Sequence, residues 1–448
     1  MSFFENFSGN VAVIGMGATG LAVVRFLSRF DLQVDIFDEN KTPKYYNEIK
    51  CFFPKVGCHS GDFDFELLKN ADLIIVSPGV CPHIKPWSDL DRNKMISDIE
   101  IFAHYAQAPV IAITGSNGKS TVCAMLKSAL VDMGKNPALG GNFGTPALQL
   151  LDFDNIDFYL LELSSFQLEF TFNLKPDVAV VLNISEDHLD WHKDFADYLA
   201  AKQKIFDNSR NIVVFRGQPE IYADLDLENI SHSFALTPPQ SERELGLISV
   251  DKQTLLMQGS ELILNKSDLP LKDRFQILNY LATMAVLSSA GFEVRSYKNA
   301  LQSFHGLAHR CEYIGCFSER YWYNDSKATN TGAMHSALLS LGDSYESIVL
   351  LAGGVFKEQK VQELPSAVAG QIAKIILFGR AADKFYDAWA ETWSCEVVDD
   401  LAAAIDLAAN TSPNGSAVIL SPACASFDQF SDFNERGDFF KDYVKTQY

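Results

Sequence analysis

The chain predicts an α/β protein of three consecutive domains, and three observations carry that expectation. Short β-branched runs repeatedly end in glycine or proline and hand over to helical patterns, the order expected of parallel sheets flanked by helices. Two of these junctions are glycine turns of the kind that hold phosphates. The length, 448 residues, suits about three domains of ordinary size. The expected units are residues 1–98, a Rossmann-like domain; 99–306, a central domain with a mostly parallel sheet around a P-loop-type turn; and 307–448, a second Rossmann-like domain.

In the first unit a strand at 11–14 runs through Gly15-Met-Gly-Ala-Thr-Gly20 into a helix reaching about residue 30, and a second strand at 34–37 ends at Asp38. This is the G-x-G-x-x-G layout, with an acid about 20 residues on that would accept a ribose hydroxyl. Taken alone it admits a nicotinamide-dependent oxidoreductase. A further strand at 73–76 meets Ser77-Pro-Gly79, another turn at a carboxyl edge where ligands lie.

The second unit opens with a strand at 110–114, then Thr114-Gly-Ser-Asn-Gly-Lys-Ser120, then a helix to about residue 133. A triphosphate needs inward-facing N–H groups, the positive end of a helix, a mobile cation and a hydroxyl for a divalent metal, and this stretch offers all four. Gly115 and Gly118 let the backbone close around the anion, with Ser116, Asn117 and Thr121 completing the cradle. Lys119 would reach the terminal phosphates and Ser120 would hold Mg2+. The first glycine of the general P-loop pattern falls on Ile113, whereas the shorter T-G-x-N-G-K-[ST] fits throughout.

Strands at 158–161 and 178–182 end in Glu162 and in Asn183-Ile-Ser-Glu-Asp-His188. Strand ends are where such sheets place their chemistry, so Glu162 and His188 are candidate metal ligands beside the triphosphate. His188 and His192, spaced i, i+4, also suit a shared zinc. The neighbouring Glu186, Asp187 and Asp190 favour a hard, oxygen-liking cation instead.

In a helix predicted over 194–207, Phe195, Tyr198, Leu199, Ile205 and Phe206 share one apolar stripe, and Lys202 falls in its middle. Lys204 lands on the opposite, solvated side. A lysine against apolar surface has its charged form disfavoured, which opens its amine to reactions such as carbamylation by CO2. The bland reading is that Lys202 extends its head to water along its stem.

A more polar region, 208–270, containing Thr237-Pro-Pro-Gln-Ser241, reads as β-rich decoration and loops. The third unit, from about residue 307, repeats strand, glycine and helix at 348–354, 375–379 and 417–422.

A formal charge of −20 argues against nucleic acid as a partner, since a phosphate backbone needs a dense basic face. Anionic ligands must then meet local cations. The eight cysteines form no C-x-x-C pair and read as reduced thiols. The N-terminus lacks a basic, apolar leader, and no run approaches the roughly 18 apolar residues of a membrane span. The expected compartment is the cytoplasm.

In this order, Thr114–Ser120, Glu162-Leu-Ser-Ser-Phe-Gln-Leu-Glu169, Asn183–His188 and Lys202 resemble the Mur ligase family of peptidoglycan synthesis, over essentially the whole chain. Asn324-Asp-Ser-Lys-Ala-Thr-Asn330 and Leu420-Ser-Pro-Ala-Cys-Ala-Ser-Phe-Asp-Gln-Phe430 are similar to the D-glutamate-adding branch.

The resemblance implies a monomeric three-domain ligase. ATP phosphorylates the carboxylate of UDP-N-acetylmuramoyl-L-alanine, the amine of D-glutamate attacks the acyl phosphate, and a tetrahedral intermediate collapses with loss of phosphate. Domain closure would keep water from the acyl phosphate. Implied catalytic residues are Lys119, Glu162, His188, Lys202 and His309, with two Mg2+ ions supported by Ser120, Glu162, His188 and a carbamylated Lys202. Gln276, Arg310, Asp325 and Lys327 would meet ATP or order its site. Ala18 and Thr19 would face the donor diphosphate and Asp38 its uracil end, with Gly79 and Asn142 also on the donor. Thr329, Lys357, Ser426 and the backbone near Phe433 would bind D-glutamate.

Two departures stand out. Asn40 lies where relatives often carry Arg, and Arg274-Phe-Gln-Ile-Leu-Asn279 replaces their His-Asn-x-x-Asn. Gln276 keeps an amide, but Phe275 cannot copy a histidine's hydrogen bond. A non-catalytic, ATP-gated binding protein is the alternative outside enzymes.

Overall fold

A computed structural model describes the chain except for Met1, Ser2, Asn6, Asp187, Leu189, Asp190, Asp343 and residues 357–360, and the side chain of Leu227. It carries three α/β domains built on three sheets. The first sheet is wholly parallel, in the order Gly57–Ser60, Gln33–Asp38, Asn10–Ile14, Leu73–Val76, Met95–Ile96. Asn10–Ile14, the predicted first strand, is buried at four of its five positions, as a strand covered on both faces must be.

The central sheet has nine strands, with Val110–Thr114 between Val178–Val181 on one side and Phe158–Glu162 on the other. Every residue of Val110–Thr114 is buried. The polar region after residue 208 is not separate decoration. Ile212–Phe215, Ile230–Phe234 and Glu244–Val250 continue the same sheet in parallel, and Gln253–Gln258 and Glu261–Asn265 close it as antiparallel strands. These strands hydrogen-bond outward one after another from Val178–Val181, so the sheet grows by edge addition.

The third sheet has six strands, parallel apart from its edge strand Glu312–Phe317. Arg320–Asn324, Ala417–Leu420 and Ile348–Gly353 lie side by side and point the same way. Their carboxyl ends therefore deliver Asp325, Ser421 and Gly354 to one edge.

By compactness the chain divides into Met1–Pro270 with Leu278–Phe304, which holds the first two sheets, and Leu271–Ile277 with His305–Tyr448, which holds the third. Among the described residues no helix is long and apolar enough to cross a membrane.

The helix predicted over 194–207 is α-helical over Phe195–Gln203 and tightens to a 3-10 turn over Lys204–Phe206. Lys202 is 2% exposed, in the apolar stripe where its spacing put it. Lys204 differs from expectation: it is half-buried, and its ammonium donates to the carboxylate and the carbonyl of Glu169, both at 2.9 Å. An acid at the end of the helix Ser165–Glu169 captures it.

Candidate functional site

In the first sheet the strand order reverses between Asn10–Ile14 and Leu73–Val76, and the turns that follow diverge to leave a crevice. A cleft of about 690 Å3 opens there, lined by Ala18, Thr19, Asp38, Gly79, Lys85 and Asn142 among others. Gly20 is required by the turn beside it, since a Cβ there would stand 1.9 Å from the Gly15 carbonyl oxygen. Asp38 organises the turn: one carboxylate oxygen accepts the Met16 N–H at 2.7 Å and the other the Asn40 N–H at 2.9 Å. Both oxygens are thus engaged by main chain, each with a further lone pair left for a ligand hydroxyl. The Ser77 hydroxyl, in the cleft wall, is buried without a hydrogen-bond partner among the described residues.

The phosphate loop follows Val110–Thr114, and Gly118 caps the helix Lys119–Asp132 at φ +85°, where a side chain would be strained. The segment after Val178–Val181 braces this loop. Asn183 accepts the Ser116 N–H on its carbonyl at 3.0 Å and the Asn117 N–H on its side chain at 2.9 Å. The Ser116 hydroxyl meets Tyr198 Oη at 3.0 Å and donates to the Ser185 carbonyl at 3.1 Å. Two amines curl onto the loop: Lys119 donates to the carbonyls of Gly115 and Ser116 at 2.7 and 2.9 Å, and Lys202 donates to that of Gly115 at 3.0 Å while lying over the Tyr198 ring. Thr121, next to Ser120, is buried in the first helical turn.

Glu162 joins cleft and loop. It is 3% exposed, accepts the Ser120 hydroxyl at 2.5 Å on one oxygen and the Asn142 amide at 3.0 Å on the other. Among the described residues no ion pair involves it. A carboxylate so buried calls for a counter-charge, and a hydroxyl beside a carboxylate is a donor set suited to a hard cation. His188 is exposed at φ +55°, its ring 4.8 Å from that of Phe166. His192 does not share a metal position with it. Its ring is buried between Asp197 at 3.2 Å and Ser165 at 2.9 Å, and burial holds its pKa below the ordinary imidazole value. Asp187 and Asp190 lie outside the described residues.

In the third domain a second set converges on the strand ends. Asp325 accepts the Ser421 hydroxyl at 2.7 Å and the Cys311 N–H at 3.1 Å, and burial pushes its carboxyl up to about 7. Lys327 stacks its ammonium 3.8 Å from the centre of the Phe433 ring. The Ser326 hydroxyl donates to the Phe433 carbonyl at 2.8 Å. Ser426 is buried, and the preceding Ala425 exchanges both main-chain hydrogen bonds with Val355. Thr329 follows on the same turn, its N–H on the Lys327 carbonyl at 2.8 Å. His309 sits behind this set, 6% exposed, its Nδ1 accepting the Asn324 amide at 3.0 Å. Arg310 is half-buried beside Asp325. Gln276 lies in the first turn of the helix Arg274–Ser289, its N–H on Asp273 at 3.0 Å. Lys357 lies outside the described residues.

Two residues were given no role by the sequence reading, although Asn279 keeps the final Asn of the His-Asn-x-x-Asn pattern. The Asn279 side-chain oxygen would stand 2.5 Å from a Cβ on Gly118, so its amide lies against the phosphate loop. Arg436 is 1% exposed and donates to the Ser326 hydroxyl and to the carbonyls of Ser326 and Cys424 at 2.8–3.0 Å. Its signal was available: Phe433, Arg436, Phe440 and Val444 fall on one helical stripe, the same anomaly that marked Lys202.

Three family models match the chain: "Mur ligase MurD-like, N-terminal domain" over residues 9–87, "Mur ligase middle domain" over 113–287 and "Mur ligase, glutamate ligase domain" over 309–424. Proteins named UDP-N-acetylmuramoylalanine--D-glutamate ligase are similar along nearly the full length. That of Alcanivorax borkumensis is 38% identical, covering 96% of each chain, and that of Hahella chejuensis is 37% identical, covering 98% of each. Among solved structures, a pseudomurein peptide ligase type C from Methanothermus fervidus aligns with a TM-score of 0.61 at 18% identity, covering 98% of this chain and all of that one. The UDP-N-acetylmuramate-alanine ligase of Thermotoga maritima aligns at 0.57 with 16% identity and the same coverage. At such identity these two speak for the fold alone.

Proposed function

The chain belongs to the Mur ligase family, and we propose that it is the member that uses ATP to join D-glutamate to UDP-N-acetylmuramoyl-L-alanine. The carboxylate of the bound alanine attacks the γ-phosphorus of ATP, the bond to ADP breaks, and an acyl phosphate results. The amine of D-glutamate then adds to its carbonyl carbon. The tetrahedral intermediate expels phosphate as the amine proton leaves, and the amide remains. What supports this most directly is Glu162, one buried carboxylate hydrogen-bonded both to the phosphate loop through Ser120 and to the cleft wall through Asn142.

In the first step two anions meet, so the chain must supply positive charge before the reaction begins. Lys119 and the start of the helix Lys119–Asp132 provide it at the loop. Ser120 and Glu162, with His188, would hold Mg2+, which when bound neutralises charge on the phosphates. Lys202 is proposed to be carbamylated: in its neutral form the amine would attack the carbon of CO2, a proton would pass to solvent, and the resulting carbamate anion would support a second Mg2+. Mass measured under bicarbonate tests this, with a gain of one CO2 on the peptide containing Lys202 expected and an unmodified peptide counting against it.

For the acceptor, Thr329, Ser426, Lys357 and the backbone at Phe433 are proposed to take the two carboxylates of D-glutamate. Arg310, Asp325, Lys327 and Gln276 are proposed to serve ATP, and His309, buried behind Asn324, to position them. The proposed domains are 1–98 for the donor, 99–306 for ATP and 307–448 for the amino acid.

The test is phosphate release with UDP-N-acetylmuramoyl-L-alanine, ATP and Mg2+, comparing D-glutamate, L-glutamate, L-lysine and diaminopimelate. Only D-glutamate should drive release and appear in the product. Release indifferent to the amino acid, or coupling of another one, would overturn the assignment.

A further inference from the structure

The donor cleft has a charge problem that its glycine turn does not solve. Its walls carry Asp38 and Glu39, on a chain of formal charge −20, while a nucleoside diphosphate brings negative charge of its own. The start of the helix Ala18–Leu27 offers N–H groups and a dipole, a modest attraction at an exposed helix end. Asn40 gives no help: it is uncharged, its amide oxygen accepts the Thr42 N–H at 3.1 Å, and it is absent from the described cleft lining. Among the described lining residues one side chain is basic, Lys85, on the loop after Ser77-Pro-Gly79 and beside Ile84 and Trp87. It is exposed and makes no ion pair with a described residue.

We propose that Lys85 is the cation that binds the diphosphate of the donor nucleotide. This rests on the reading of the cleft as the donor site. A lysine suits the task because its four-carbon stem brings a compact charge to an anion without a fixed approach geometry. As the one basic side chain in a described lining that also carries two carboxylates, it gives an anionic ligand a single point of attraction, so the ligand is oriented as well as held.

Binding of UDP, UMP and uridine to the full-length protein, measured by calorimetry for wild type, Lys85→Ala and Lys85→Glu, tests this. Lys85→Ala should weaken UDP about tenfold, as for loss of one charge-assisted contact, and Lys85→Glu should weaken it further. Uridine should be unaffected, and the difference for UDP should shrink at high salt. In coupling assays the donor KM should rise by a similar factor, with the KM values for ATP and D-glutamate unchanged. Equal UDP affinity in wild type and Lys85→Ala, or an equal loss for uridine, would overturn the assignment. A wild type that couples normally while Lys85→Ala binds UDP unchanged removes Lys85 alone. Lys85-dependent UDP binding without any coupling removes the ligase reading and leaves the lysine in place.

Discussion

Glu162 and Arg436 set opposite problems of buried charge. Glu162 has two neutral hydrogen-bond donors, the Ser120 hydroxyl and the Asn142 amide, and no ion pair among the described residues, a buried acid set out to receive a positive group. Glu162→Gln keeps the shape and an acceptor oxygen but removes the charge. It should lower kcat by roughly 10²–10³-fold, the size of loss seen when one preorganised electrostatic group is removed. Steady-state kinetics at saturating substrates check it, and an activity within a few-fold of wild type would exclude a charge role. Arg436 is a cation held by a hydroxyl and two carbonyls, and burial lowers its pKa to about 10. Arg436→Met strands those acceptors in the third domain and should cost about 3 kcal/mol of stability, at roughly 1–3 kcal/mol for each abandoned buried group; urea unfolding reads it. Both residues bear on what the sequence revealed of the site. Lys202 was legible because five apolar neighbours on a helix isolate it. Arg436 carries the same mark in the final helix. Asn279 was visible as the Asn that its motif keeps, but its approach to Gly118 was not, because that depends on how a distant helix packs.

At the level of elements, the helix Asp98–Tyr105 is joined to Ser165–Glu169 by one hydrogen bond, the Gln167 amide donating to Asp98 at 3.2 Å. Asp98 is 2% exposed, and desolvation pushes its carboxyl up to about 6 from 3.8. The folded state therefore holds this proton more tightly than the unfolded chain does. Stability from this group is fully present below pH 3.8 and is lost as pH rises through 6, the difference amounting to roughly 3 kcal/mol for a shift of about two pH units. Asp98→Asn removes the titration. Its stability relative to wild type should rise between pH 4 and 7 and level off above, as read from denaturation midpoints at fixed pH; a constant difference would show that Asp98 does not titrate in this range. The strands and glycine turns around these helices were legible because period and punctuation are local. The antiparallel end of the central sheet was not, since short strands without alternation, such as Glu261–Asn265 with its Leu-Ile-Leu centre, are fixed by their neighbours more than by their own pattern. Lys204 failed for the same reason, its ion pair being supplied by Glu169, 35 residues away in sequence.

For the molecule as a whole, the distribution of candidate residues between the two compact units makes the two half-reactions separable. The donor cleft, the phosphate loop and Glu162 belong to the unit Met1–Pro270 with Leu278–Phe304, whereas Thr329, Ser426 and Phe433 belong to the unit that includes His305–Tyr448. On the proposed assignment, phosphorylating the alanyl carboxylate would need only groups of the first kind, apart from those that hold ATP, and capturing D-glutamate would need the second. Lys119→Ala should therefore abolish acyl phosphate formation, trapped as a hydroxamate, because nothing else on the loop carries a mobile charge to the terminal phosphates. Ser426→Ala should leave the trapped acyl phosphate at its wild-type level and raise the D-glutamate KM about tenfold, the scale of one lost hydrogen bond to a charged ligand. Equal loss of the hydroxamate in both variants would mean that acyl phosphate forms only after the amino acid is bound, and that the division of labour between the units does not hold.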